Sequence, residues 1–239
     1  MLTTLKHHTL LIVLLAILSA GCSPLVVPSA YQVPNVKEQG DVNLTVVTGV
    51  SALNVQAAVV PVKHLLLTSA YSNNIHHTLK GNIYNHTTFG IGYLTSPAKV
   101  QFGTLFIYGF GKSRDNSIDE NEGNKIYHHT GVKYKDYQLQ PYMNVKAGEH
   151  IDFYTGVRSS FIDTYAYDSN ETSRKNPGNM FTAEPFLGMR LGFENLKIDY
   201  QFGIYKHKRT YVSSVSGDAL LNMHIGLTYT VNWKKVFKL

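Results

Sequence analysis

The chain has 239 residues, a formal net charge of +6, only 16% charged residues and one cysteine. A single cysteine cannot form an internal disulfide, so the composition excludes a small secreted domain held together by bridges. The positive charge is modest and its basic residues are scattered, so we expect no nucleic-acid partner. The length is sufficient for one large domain.

The N-terminus has the pattern of an export signal. Lys6 precedes an apolar run over 10–18, which is too short to span a membrane as a helix and is typical of a signal-peptide core. The run ends in Ser19-Ala20-Gly21-Cys22, which resembles the bacterial lipoprotein cleavage box. We therefore expect a lipoprotein signal peptide over 1–21 and covalent diacylglyceryl and acyl chains on Cys22. An ordinary secretory signal with a cysteine nearby by chance is the alternative.

Residues 22–39 contain three prolines, Pro24, Pro28 and Pro34, and show no periodicity. This composition predicts a lipidated N-terminal tether that links the acyl chains to a β-barrel domain over 40–239.

From residue 40 onward, apolar and polar residues alternate over long segments. The clearest case is 181–205, where two segments of ten or more residues are joined at Glu194-Asn195. Strands of ordinary globular proteins have about 5–6 residues, whereas tilted strands that cross a bilayer need about 9–11. The pattern therefore predicts a transmembrane hairpin.

The other segments continue this pattern along the chain. Ten strands are predicted, near 40–48, 53–59, 65–72, 87–94, 100–111, 137–145, 151–161, 181–192, 196–205 and 220–231, and the sixth is left open to begin as early as Ile126. Short turns join the second strand to the third, the fourth to the fifth, the sixth to the seventh and the eighth to the ninth. Longer polar segments join the third to the fourth, the fifth to the sixth, the seventh to the eighth and the ninth to the tenth. We interpret these segments as loops over 73–86, 112–125, 168–178 and 206–217. Outer-membrane barrels show this alternation of short periplasmic turns and longer external loops.

We therefore expect an all-β fold, a closed antiparallel up-and-down transmembrane β-barrel of about ten strands, with eight possible. An even strand number puts both barrel termini on the periplasmic side, where an anchor at Cys22 fits without threading the chain through the membrane. A soluble β-sandwich or lipocalin-like barrel is the competing fold, because its sheets also have one polar face. Long strands, glycines on the polar faces and tyrosines near strand ends favour the membrane barrel.

If the apolar faces meet lipid, charges of both signs point into the lumen. They come from neighbouring strands and are expected to neutralise each other and plug a narrow barrel, because porins with aqueous channels have about 16–18 strands. A lumen that takes a small polar ligand or an ion is the alternative. The predicted lumenal polar network consists of Asp152, Arg158, Glu184, Arg190, Lys197 and Asp199.

The chain offers no catalytic signature. It contains no G-x-S-x-G motif, and His224 is the one histidine on a predicted lumenal strand face. His76-His77 and His128-His129 lie in or near predicted loops, and adjacent residues of an extended chain point in opposite directions. We expect no catalytic residue, no metal, no cofactor and no enzymatic activity.

Several features together resemble the uncharacterised outer-membrane β-barrel lipoproteins of Bacteroidota-type bacteria. They are Cys22 with its leader, Gly40 at the start of the first strand, Gln140-Pro141 and Glu184-Pro185 within strands, and the order of strands and loops. The resemblance implies a lipid-anchored protein of the outer membrane, with outer-membrane lipids as partners. It implies a structural or surface-interaction role through external loops, which could contact an extracellular partner. A narrow channel or a small-ligand-binding barrel is the alternative.

Overall fold

The computed structural model describes residues 29–49, 52–74, 83–96, 99–121, 124–169, 173–209 and 220–237. The predicted signal peptide and Cys22 lie outside this part of the chain. The described residues form ten strands and one short helix: β1 (Asp41–Gly49), β2 (Ala52–Val59), β3 (Leu65–Asn74), β4 (Ile83–Leu94), β5 (Val100–Asn121), β6 (Asn124–Lys146), β7 (Ile151–Ser169), β8 (Ser173–Gly192), β9 (Leu196–Arg209), β10 (Leu220–Asn232) and α1 (Trp233–Phe237).

The strands form a closed barrel in which each strand pairs antiparallel with its neighbours in sequence. Closure comes from the pairing of β1 with β10, which runs from Asp41 opposite Asn232 to Gly49 opposite His224. The prediction of a closed up-and-down barrel of ten strands is therefore confirmed. No helix within the described ranges has the length and apolar character needed to cross a bilayer.

The outer surface of the barrel is apolar and its interior is polar. Phe102 and Leu187 are 55% and 59% exposed, whereas Arg190 is fully buried in the lumen. A soluble sandwich would show the opposite arrangement, and an exposed apolar surface of this extent marks a face that another apolar phase covers. The exposed apolar side chains of β4–β10 include Phe89, Ile91, Phe106, Phe110, Leu139, Phe153, Val157, Phe181, Ile198 and Leu227.

This apolar band has the height of a bilayer. On β5 the outward face from Val100 to Phe110 is apolar or aromatic except for Thr104, and it then changes to exposed Lys112 and Arg114. The apolar part of the strand thus has eleven residues, close to the number that a tilted transmembrane strand needs, about 9–11.

The two ends of the barrel differ. At one end, here called the short-turn end, lie the connections 60–64, 95–99, 147–150 and 193–195 together with the first residue of β1 and the last residue of β10. At the other end, here called the long-strand end, β5 and β6 reach 22 and 23 residues and project beyond the apolar band.

The predicted loops at the long-strand end are wrong in extent. Residues 112–125 belong almost entirely to β5 and β6, and 168–178 to β7 and β8. Beyond the apolar band no lipid faces the strand, so backbone pairing continues while the outward apolar alternation stops. The composition of these segments therefore looked like that of loops. Strands also extend into the other two predicted loops, with β3 reaching Asn74, β4 beginning at Ile83 and β9 reaching Arg209.

The segment 29–40, here called the inner segment, lies inside the barrel. Tyr31 and Val36 are buried, and the Tyr31 ring stacks on Phe186 with a centroid separation of 4.3 Å. The chain then turns into β1 at Gly40, whose φ of +93° would be strained for other residues and where a Cβ would lie 2.9 Å from Asn232 Oδ1. The sequence analysis treated 29–39 as part of a tether between the acyl chains and the barrel and did not foresee this insertion.

The position of the apolar band makes a prediction about stability in lipid. Phe106→Arg, in the middle of the band, should lower the free energy of unfolding in phosphatidylcholine vesicles by about 2–4 kcal/mol, and Ile151→Arg at its edge by about 1 kcal/mol or less. Urea titration of the refolded proteins measures both values. Equal small losses at the two positions would show that the band does not face acyl chains.

Candidate functional site

The structure brings the six predicted lumenal charges together in three ion pairs. Arg158 Nη2 donates to Glu184 Oε2 at 2.5 Å, and Arg190 Nε donates to Asp199 Oδ2 at 3.3 Å. The third pair joins Lys197 to Asp152. All six side chains are buried, with exposed fractions of 4% or less. Each positive charge thus has a carboxylate partner within the lumen.

The strand register places these pairs side by side. Arg158 and Glu184 are directly opposite each other on β7 and β8, and Arg190 and Asp199 are opposite on β8 and β9. Tyr154 strengthens the second pair, because its hydroxyl donates to Asp199 Oδ1 at 2.5 Å. Its ring also lies under the Arg190 guanidinium, 4.4 Å from the centroid. A shift of the register by one residue would turn every one of these groups toward the apolar outside.

The two guanidinium groups also hold the inner segment. Arg158 Nη2 donates to the carbonyl of Ser29 at 3.0 Å, and Arg190 Nη2 donates to the carbonyl of Val33. Arg158 further lies over the Tyr31 ring, 4.5 Å from its centroid. The wall thus uses the same two arginines for its own ion pairs and for backbone carbonyls of the inner segment, which have no strand partner.

Amide side chains of the wall bind the rest of the inner segment. Gln140 Nε2 donates to the Gln32 carbonyl at 2.7 Å, and Gln201 Oε1 accepts from the Tyr31 backbone N–H at 3.0 Å. Further side-chain contacts come from the amides of Asn54, Gln56 and Gln101 and from the hydroxyls of Thr88 and Thr230. The inner segment does not pair with a strand, and its polar groups are instead hydrogen-bonded by side chains from nearly the whole circumference of the barrel wall.

Near the long-strand end, His86 and Asp136 form a buried pair that the sequence analysis missed. His86 Nε2 lies 3.0 Å from Asp136 Oδ1, and Gln138 donates to the other carboxylate oxygen. The prediction that His224 alone faces the lumen is therefore wrong, since β4 begins at Ile83 and carries His86 inward. The inward period-two series of Tyr84, His86 and Thr88 was the signal in the sequence.

A histidine–carboxylate pair can activate a nucleophile only when a hydroxyl or thiol lies within hydrogen-bond reach. Ser72 is the cross-strand neighbour of His86, but its hydroxyl donates to Asn54 Oδ1. Within the described part of the chain no hydrogen bond joins Ser72 to His86. The pair as it stands therefore lacks the geometry of a Ser–His–Asp triad.

The remaining histidine candidates cannot be judged from side-chain geometry. His76-His77 lie outside the described residues, and the side chains of His128-His129 in β6 lie outside the described part as well. Among the residues that are described, no three His, Cys, Asp or Glu side chains converge in a way that could hold a metal ion.

A polar cavity of about 420 Å³ opens at the short-turn end, between the inner segment and strands β5–β7. It is lined by Asn35, Lys37, Lys99, Gln101, Asn144, Lys146 and Asp152. The middle of the lumen is filled instead by an apolar cluster in which Tyr31, Val33 and Val36 pack against wall residues that include Leu105, Ile107 and Tyr142.

Comparison with known proteins shows similarity at the level of solved structures. No family model and no curated protein sequence matches the chain. The N-terminal β-barrel domain of Pseudomonas aeruginosa OprF aligns over 82% of this chain and 100% of its own, with 10% identity and a TM-score of 0.32. LpxR from Salmonella typhimurium aligns over 79% of this chain and 99% of its own, with 7% identity and a TM-score of 0.39. An OmpT loop-deletion mutant, an outer membrane protein of Vibrio cholerae, aligns over 80% and 97%, with 8% identity and a TM-score of 0.27.

The paired lumenal charges predict strongly coupled mutational effects. Arg190→Met should cost about 3–5 kcal/mol because it leaves the buried Asp199 carboxylate uncompensated, and Asp199→Asn should cost a similar amount. The double variant should lose at least about 1 kcal/mol less than the sum of the single losses. Equilibrium unfolding of the four proteins measures this coupling.

The exposed pair of Lys235 and Glu38, 2.8 Å apart, is the matched control and should show negligible coupling. Additive losses for Arg190 and Asp199 would mean that their ion pair does not form in the folded protein.

Proposed function

We propose that this protein is a lipid-anchored outer-membrane β-barrel, closed by its own inner segment, that acts as a structural or surface-interaction protein through its long-strand end. The observation that carries the proposal is the inverted distribution of polarity. Apolar side chains cover the outside over about one bilayer height, while the charges are paired inside. Such a barrel is stable only when an apolar phase surrounds it.

The long-strand end supports the interaction role. β5–β8 have 19 to 23 residues, so they project well beyond the apolar band and offer a paired, hydrated platform. Just above the band, the outward face of β5 and β6 carries exposed Lys112, Arg114 and Lys133, with Lys112 directly opposite Lys133. Like charges that face each other across strands are unfavourable without counter-charges. An acidic surface or partner would supply those counter-charges.

The direction in which the inner segment runs through the lumen indicates on which side of the membrane the anchor lies. Ser29 contacts Arg158, seven residues from the start of β7 at the short-turn end, which corresponds to a height of roughly 18 Å for a tilted strand. Going toward the N-terminus, the described chain therefore rises through the lumen toward the long-strand end. The sequence-based expectation of an anchor that joins the barrel at the short-turn end without threading does not fit this course.

Six residues lie between Cys22 and Ser29. Extended, this stretch reaches about 24 Å, which from the height of Ser29 carries it beyond the apolar band on the long-strand side. To return to the short-turn end it would have to pass the packed Tyr31 and Phe186 rings. In our proposal Cys22 therefore emerges at the long-strand, external end and inserts its acyl chains into the outer leaflet.

The anchor is tested by metabolic labelling with radioactive palmitate. The wild-type chain should be labelled and should fractionate with outer membranes, and Cys22→Ala should lose the label while remaining a heat-modifiable barrel on electrophoresis. An unlabelled wild-type chain would reject the anchor, and a soluble, heat-insensitive product would reject the barrel. An epitope inserted after Ser23 should be reached by antibody on intact cells, with an epitope at Gly148 in a short turn as the inaccessible control.

The alternative function, a narrow channel or small-ligand barrel, makes a contrasting electrical prediction. The filled lumen of the wild-type protein should give no steady openings in planar bilayers, because Tyr31, Val33 and their neighbours pack the middle of the lumen. Deletion of 29–36 should produce small-ion openings, since it empties the lumen between Arg158 and Arg190. Steady conductance of the wild-type protein would favour the channel instead.

A further inference from the structure

We infer that the polar cavity at the short-turn end is a binding site for a small phosphate-bearing anion. The cavity holds about 420 Å³ and is lined by three lysines and by amide side chains. This volume lies within the range of small-molecule sites, about 300–1,000 Å³. It exceeds the size of an ion alone and would admit a phosphate together with a small organic group.

The charges around the cavity are mostly uncompensated. The carboxylate of Asp152 is neutralised by Lys197, and Lys37 makes only a long contact of 3.9 Å with Glu194. Lys99 and Lys146 are exposed and have no ion-pair partner among the described residues. Ammonium groups that converge on one cavity create a positive potential, and lysine binds phosphate as a point charge.

Two amide groups of the cavity lining have an atom without a hydrogen-bond partner among the described residues. Asn35 is 3% exposed, and its Nδ2 donor has no hydrogen-bond partner within the described part of the chain. Asn144 Oδ1 is likewise buried without a partner, and an exchange of its amide O and N would present a further donor. Buried donors are rarely left unsatisfied, and a rotation of the Asn35 amide toward the cavity, which this residue lines, would bring its donor to an acceptor held there. A phosphate oxygen meets that need together with the lysine charges.

The site would also connect the inner segment to the wall. Asn35 and Lys37 belong to the inner segment, while Lys99, Asn144 and Lys146 belong to β6 and to the turn that precedes β5. An anion held between them would contribute contacts on both sides and would be bound only while the inner segment occupies the lumen.

Binding is tested on the mature protein in phosphatidylcholine nanodiscs, with glycerol 3-phosphate titrated by calorimetry and succinate as a carboxylate control. The wild-type protein should bind the phosphate ester better than succinate. Lys99→Gln/Lys146→Gln should weaken this binding about tenfold or more, because two of the three cations are removed. Asn35→Leu should also weaken it if the barrel remains heat-modifiable.

The matched control is Lys63→Gln/Lys235→Gln, which changes the net charge equally at exposed positions outside the cavity. Its affinity should stay within about twofold of the wild type, a difference of less than half a kcal/mol. A second arm uses nanodiscs that contain phosphatidylglycerol. If a lipid headgroup is the source of the phosphate, this lipid should raise the melting temperature of the wild type and the control but not of Lys99→Gln/Lys146→Gln.

The inference would be overturned if glycerol 3-phosphate did not bind and phosphatidylglycerol did not raise the melting temperature. It would also be overturned if the control variant lost as much affinity as the cavity variant, because the effect would then come from net charge and not from a site. These outcomes are independent of palmitate labelling and of fractionation, so the site and the proposed anchored barrel can fail separately.

Discussion

The polar lumen of this barrel has to satisfy its own charges, because an apolar band surrounds it and the inner segment excludes bulk water from its middle. An unpaired charge buried in such a place costs several kcal/mol, and lipid offers no partner. The pairs of Arg158 with Glu184 and of Arg190 with Asp199 meet this requirement within the register of β7–β9. The same arginines bind carbonyls of the inner segment. The wall and the inner segment therefore form a single polar network, and each depends on the other for its hydrogen bonds.

Room for the inner segment is provided by glycines that lie beneath aromatic rings. Tyr154 covers Gly188, its register partner, and a Cβ at Gly188 would overlap the Tyr154 ring. Gly203 has the same relation to Tyr31 of the inner segment. Aromatic rings that lie flat over glycines keep the middle of the lumen dry, and this packing fixes the depth at which Tyr31 is held. The glycine-rich polar faces therefore mark a crowded interior and not a water-filled channel.

The fold could be predicted from the sequence because lipid and lumen impose a strict period of two on every strand within the apolar band. Beyond the band that constraint disappears, which is why 112–125 and 168–178 looked like loops and why His86 was not placed on a strand. The inner segment has no period, because its backbone is bound by side chains from many strands. A weak signal existed, since residues 29–36 carry Tyr31, Val33 and Val36 but no charge, whereas a solvated tether is usually more polar. The sequence indicated that the six lumenal charges neutralise each other, but it could not assign the individual pairs, because these depend on the register of three strands.

With the middle of the lumen filled and its charges paired, chemistry open to other molecules is confined to the two ends. The long-strand end offers cations above the apolar band, and the short-turn end offers a cavity whose lining includes Asn35 and Lys37 of the inner segment. Because the inner segment runs through the lumen, it physically connects these ends. A ligand that binds only when Asn35 is in place stabilises the inserted state of the segment by the free energy of its own binding. By reciprocity, insertion of the segment raises the affinity of the barrel for the ligand. Occupancy at the short-turn end would in this way bear on how firmly the chain that leads to Cys22 is held.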